Sequence, residues 1–264
     1  IAIVAFEGWG DAGESSSMAV RYLVDEFDAV RIATIDSDDF FDFQVRRPEI
    51  ELDHTGTRDV LWPDSEVWVV RPPTCDHDIV IVTGHEPHAR WKAFTSDVTS
   101  VLLTVGVTKV VTMGAFVGQV PHTLPVPLVG SSSHPELLER HHLFTSGYEG
   151  PTGIVGVLNH AFQSAGFDTI SVWAAVPHYL SNQEYPPGGL ALLDKALEIL
   201  DLSIDTSDLT VASAEFRQQV DHALEDSDIV DYVQELESQS LTGDGGIDPA
   251  ERLVEEIERF LEEG

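Results

Sequence analysis

Glu86 and His178 each follow a short apolar run, Ile79-Val80-Ile81-Val82 and Thr169-Ile170-Ser171-Val172-Trp173-Ala174-Ala175. A carboxylate and an imidazole can exchange protons near neutral pH, so the two are acid–base candidates wherever a fold brings them together. Gly8-Trp9-Gly10-Asp11-Ala12-Gly13 suggests a second chemistry, because it reads G-x-G-x-x-G between an apolar run over residues 1–6 and a helical pattern over residues 14–27. Such a turn lets backbone pass close to a ligand, and the following helix offers free N–H groups to an anion. Asp36 closes the next apolar run at the spacing of a ribose-holding acid. Trp9 and Asp11 inside the loop, and Asp38, Asp39 and Asp42 beyond Asp36, oppose a pyrophosphate. Dinucleotide binding is therefore the lesser reading, and a strand-turn-helix cleft of another use the greater.

The loop Tyr148-Glu149-Gly150-Pro151-Thr152-Gly153 is a second anion-site candidate, since Gly150 and Gly153 permit close approach and a helical pattern follows. Its structural alternative is a tight turn at an oligomer contact. Glu7 and Asp11 flank the first loop, where Asp11 serves either as a helix cap or as a ligand contact. Trp9 suits a pocket wall or an oligomer anchor. His178-Tyr179 closes its own apolar run in the same way. His85, Glu86 and His88 are interrupted by Pro87, and His141-His142 would point apart on a helix, so no metal site is expected. Ser131-Ser132-Ser133 lacks a G-x-S-x-G elbow, and Cys75 has no base beside it in sequence. Neither a covalent nucleophile nor a cofactor is indicated.

These residues must be positioned by strands alternating with helices. Apolar runs over residues 30–35, 67–70, 79–82, 109–113 and 169–175 read as strands. Helices are expected over residues 89–105, 135–141, 154–165, 189–200, 209–237 and 249–261. Residues 49–53 and 58–62 flank His54-Thr55-Gly56-Thr57 and suit an antiparallel hairpin. The order predicts an α/β fold, a mostly parallel sheet flanked by helices with an inserted β-hairpin. In such sheets ligands lie beyond the carboxyl ends of the strands. Residues 7–11, Asp36, residues 84–86, 114–116 and 177–179 should then share one edge.

The chain of 264 residues carries a formal charge of −32. A field of that sign opposes nucleic acid and anionic lipid. Residues 201–264 hold 19 Asp and Glu against 3 Arg, half of the net charge, which predicts a core domain over 1–200 and an acidic helical extension over 201–264. A solvated surface and an arm for a basic partner are its two readings. Residues 242–246, rich in Gly, read as a mobile linker. One cysteine excludes an intrachain disulfide, and no apolar run reaches the length of a membrane helix; a cytoplasmic protein is expected. Arg outnumbers Lys 11 to 3, a hint of GC-rich coding.

Six strings in order resemble the proteasome-assembly-chaperone-2 family. They are Ala5-Phe6-Glu7-Gly8-Trp9 with Asp11-Ala12-Gly13, Asp39-Phe40-Phe41-Asp42-Phe43 with Arg47-Pro48, and Gly84-His85-Glu86-Pro87 with Arg90-Trp91. The others are Gly114-Ala115 with Pro121-His122-Thr123, Tyr148-Glu149-Gly150-Pro151-Thr152-Gly153-Ile154, and Trp173-Ala174-Ala175-Val176-Pro177-His178-Tyr179. The acidic helical tail is similar to the actinobacterial branch. The resemblance implies a phosphorylase/hydrolase-like core, a homo-oligomer with a trimer among bacterial members, proteasome subunits as partners, and a non-catalytic chaperone role. Some archaeal relatives dock through a C-terminal hydrophobic-Tyr-X tail, and Leu261-Glu262-Glu263-Gly264 departs from it. The alternative is an enzyme or ligand sensor acting on a nucleoside-like or phosphorylated small molecule in the strand-end cleft.

Overall fold

A computed structural model describes residues 1–224 and 229–241. Eight strands form one sheet: β1 (Ala2–Glu7), β2 (Val30–Ile35), β5 (Ser65–Val70), β6 (Ile79–His85), β7 (Lys109–Gly118), β8 (Leu128–Ser132), β9 (Phe144–Thr145) and β10 (Asp168–Pro177). Their spatial order is β2-β5-β6-β1-β7-β10-β8-β9. The central strands β6, β1, β7 and β10 run parallel, while β5 and β8 run antiparallel to their inner neighbours. This is the mostly parallel sheet that the alternating pattern predicts. β3 (Glu49–Leu52) and β4 (Arg58–Leu61) form a separate antiparallel hairpin in which every residue is exposed.

Period-two alternation explains how β1 serves two layers. Ile3 and Ala5 face one core with α1 (Ser15–Glu26) and α5 (Pro186–Leu200), whose Leu23 and Leu192 are fully buried there. Ala2, Val4 and Phe6 face the other, with Phe94 of α2 (Trp91–Thr104) and Leu158 of α4 (Ile154–Ser164). A buried Leu or Phe stabilises by about 1.5–3 kcal/mol, so a sheet apolar on both faces requires both helical layers. α3 (Pro135–Arg140) covers β8.

One expectation changes, and others lie partly or wholly outside the described residues. Of the helix expected over residues 209–237, α6 (Ser207–Leu224) and α7 (Ile229–Leu241) are helical, and residues 225–228 lie outside the described ones. The helix over 249–261 and the linker over 242–246 lie outside them too. β7 runs past its expected end at Met113 to Gly118, because β10 stays in register with it as far as Pro177↔Gly118. Residues 114–116 therefore lie within a strand and not beyond it. α6 packs on α5 and adds Leu209 and Val220 to the core.

Candidate functional site

The first loop leaves β1 with Gly8 at φ +126° and reaches α1 through a 3-10 turn in which Gly13 has φ +59°. Both conformations favour glycine. Between them Asp11 turns inward and bridges to Ala115 of β7. Its Oδ1 accepts from Ser16 N–H at 2.7 Å, Ser16 Oγ at 2.6 Å and Ser17 N–H at 3.2 Å. The N–H groups that a phosphate would need at the start of α1 are thus held by the chain's own carboxylate. Asp11 is only 7 % exposed, and burial pushes its carboxyl up against the opposing pull of the serine hydrogen bonds.

The second loop meets the same fate. Gly153 begins α4, and Ile154 N–H donates to Glu86 Oε1 at 2.7 Å. Glu86 is wedged beneath both loops: a Cβ at Gly8 would lie 2.9 Å from Glu86 Cβ, and one at Gly153 would lie 2.8 Å from Glu86 Oε1 and 3.2 Å from the Trp9 ring. Beside it Arg46 donates to His85 Nε2 at 2.5 Å, and His85 Nδ1 donates to Glu7 Oε2 at 2.8 Å. That hydrogen bond holds Glu7 below the usual carboxylate range.

Between the loops lies a cavity of 690 Å³, lined in part by Trp9, which is 52 % exposed. Gly8, Trp9, Asp11 and Gly13 line one side, Tyr148 and Thr152 another. Trp173 of β10 forms the floor, lying so close to Gly114 that a Cβ there would stand 2.5 Å from the indole. Tyr148 hydroxyl donates to Pro151 O at 2.8 Å and covers Gly150, while Glu149 is exposed.

The structure thus gathers Glu7, Gly8, Trp9, Asp11, Gly13, Glu86, Tyr148, Thr152 and Gly153, and leaves His178 and Tyr179 elsewhere. β6 and β10 stand three strand positions apart, about 14 Å at 4.8 Å per strand, and no hydrogen bond joins Glu86 to His178. His178 packs edge-on against Tyr179 and Tyr232. Asp36 ends the edge strand β2, with β5 and β6 between it and β1, so the dinucleotide arrangement of neighbouring strands is absent. Among the described residues no group of three or more His, Cys, Asp or Glu is placed to hold a metal ion.

Sequence reasoning overlooked two features. Trp173 was signalled by its partner Gly114, since a glycine inside a strand marks close approach. His122 gave no such sign. It is 2 % exposed, with Nδ1 2.9 Å from Tyr179 hydroxyl and Nε2 3.1 Å from Asp221 Oδ1, which ties α6 to the end of β10. Burial pushes Tyr179 up to about 12, so this hydroxyl is not an activated one.

The fold is an α/β sheet between two helical layers, with internal carboxylates at the starts of α1 and α4 and a cavity lined by Trp9, Tyr148 and Trp173 beside them. The sequence profile of the PAC2 family matches residues 5–224, and the chain belongs to that family. It is similar to a PAC2 family protein from Streptomyces avermitilis, at 40% identity and TM-score 0.82 over 88% of this chain and 98% of that one. It is likewise similar to a proteasome-assembly chaperone homologue from Mycobacterium tuberculosis, at 36% identity and TM-score 0.80 over 88% and 99%. The Pyrococcus furiosus protein PbaA, described as an archaeal homolog of proteasome-assembly chaperone, shares the fold at 15% identity, with TM-score 0.62 over 90% and 93%. A search among curated proteins finds no match.

Proposed function

We propose that the protein is a non-catalytic, self-associating binding protein of chaperone type, with residues 1–200 as the assembling core and residues 201–264 as an acidic extension whose α6 packs on that core. The observation that carries this reading is the hairpin β3–β4. Ile50, Leu52 and Val60 lie on one face of it, Ile50 directly opposite Val60, and these are 59, 61 and 42 % exposed. Trp62 follows at 50 %. A two-stranded hairpin is marginal by itself and needs a surface to pack on. The partner supported best is another copy of the chain, with a trimer as the state implied by resemblance. Proteasome subunits are the proposed client, from the description of the Mycobacterium relative.

Native mass spectrometry of the full chain, alone and with proteasome subunits from its own host, tests the reading. A homo-oligomer that Ile50→Lys with Val60→Lys converts to monomer is the expected result. A strictly monomeric wild type that ignores the subunits would overturn it.

A further inference from the structure

The cavity between the two loops has a chemistry that the assembly role does not use. Its 690 Å³ lies within the range occupied by small ligands. Among the described residues that line it there is no Lys, Arg or His, whereas Asp11 and Glu14 are present, the latter paired with Arg21. In a chain of charge −32 an anion would enter against the field. The two helix N-termini that would hold it are already engaged by Asp11 and Glu86.

The walls specify what would be accepted. Trp9, Trp173 and Tyr148 offer aromatic surface suited to a planar ring. Asn159, 8 % exposed, and Asp11 both line the cavity, and Asn159 Oδ1 and Asp11 Oδ2 are buried with no hydrogen-bond partner. Buried acceptors are normally paired, so a ligand that donates N–H groups completes this wall. We propose that the cavity binds an uncharged or cationic planar heterocycle bearing an exocyclic amino group, of nucleoside size, and rejects the phosphorylated counterpart. This narrows the nucleoside-like or phosphorylated ligand expected from sequence to the former, and it holds whether or not the chain assembles.

Titration calorimetry with adenosine, guanosine, cytidine and their 5′-monophosphates on the full-length protein tests it, with uridine as the nucleoside lacking an exocyclic amine. At least one of the three amino nucleosides should bind with Kd below about 1 mM, its monophosphate and uridine about tenfold more weakly or worse. Asn159→Leu should weaken binding about tenfold, and Ser131→Phe, which fills the cavity from β8, should abolish it. Should the second variant misfold, Ser146→Trp blocks the same space from the loop side. Absence of binding by all three amino nucleosides, equal binding of a monophosphate, or affinity indifferent to every variant would each overturn the proposal.

Discussion

Glu86 Oε1 accepts the backbone N–H of Ile154 at 2.7 Å, so a carboxylate from the end of β6 closes the first turn of α4, 68 residues later in the chain. The contact fixes the second loop over the first. Glu86→Ala should destabilise by about 1–2 kcal/mol, the range for a lost cap or charged hydrogen bond, and Glu86→Gln by less, because the amide oxygen still accepts. Urea unfolding reads the difference. Equal stability of Glu86→Ala and wild type would remove Glu86 from any capping role.

Asp11 and Glu7 should give opposite acid responses. The folded carboxyl of Asp11 is raised above its ordinary 3.8, so between those values the native state holds more protons than the unfolded one and stability rises as pH falls. Asp11→Asn, which keeps an acceptor for Ser16 and Ser17, should match or exceed wild-type Tm at neutral pH and lose that advantage in acid. Glu7 is depressed by its hydrogen bond from His85, so its contribution is present above 4.5 and lost as pH falls through the folded value. Glu7→Gln should lower Tm at neutral pH and converge with wild type in acid. Parallel Tm-against-pH curves for the two variants would contradict both assignments.

His122 fastens α6 to the core through Asp221 and Tyr179. His122→Ala should cost about 1–3 kcal/mol by removing the imidazole that joins the Tyr179 hydroxyl to Asp221, while the backbone N–H of residue 122 still donates to that hydroxyl, and should speed amide exchange along α6 more than along β1. Asp221→Asn should be nearly silent, since that side chain is 60 % exposed. Uniform acceleration of exchange in every element would assign His122 to global packing instead.

Gly114→Ala should strain the sheet where the indole of Trp173 approaches it, at a cost of about 1–3 kcal/mol typical of overpacking. A changed near-ultraviolet dichroism should accompany the loss. Gly118→Ala in the same strand is the control, because its Cβ would find its nearest neighbour at 3.5 Å. Similar stabilities for the two variants would dismiss the close approach.

Self-association should tighten as salt rises. Copies of charge −32 repel one another, and screening shortens that repulsion, while apolar contact through Ile50 and Val60 gains nothing from low salt. Sedimentation velocity across a salt series checks the sign, and dissociation at high salt would mean that ion pairs hold the interface.

Much of this was legible beforehand because it is local. Unbroken apolar runs such as 79–82 mark strands covered on both faces, and the glycine loops mark strand-to-helix turns. What stayed hidden depends on contacts across the chain. G-x-G-x-x-G fits a phosphate turn by spacing, yet strand order puts β6 and β5 between β1 and Asp36, and order is not written in any one segment. His178 follows an apolar run just as Glu86 does, but the sheet separates them. His122 meets Asp221 across 99 residues.

The first strand occupies the middle of the sheet, with Ala2 flanked by Val80 on one side and Val110 on the other. Translation delivers this apolar segment before either flank exists. At about 5–20 residues per second, β7 emerges from the ribosome roughly 5–20 s after β1. Until β6 follows, Ile3-Val4-Ala5-Phe6 has neither lateral partner, and until β7 follows it has only one, which makes it the stretch of the nascent chain that a holdase would cover and the place where slow codons would be most harmful.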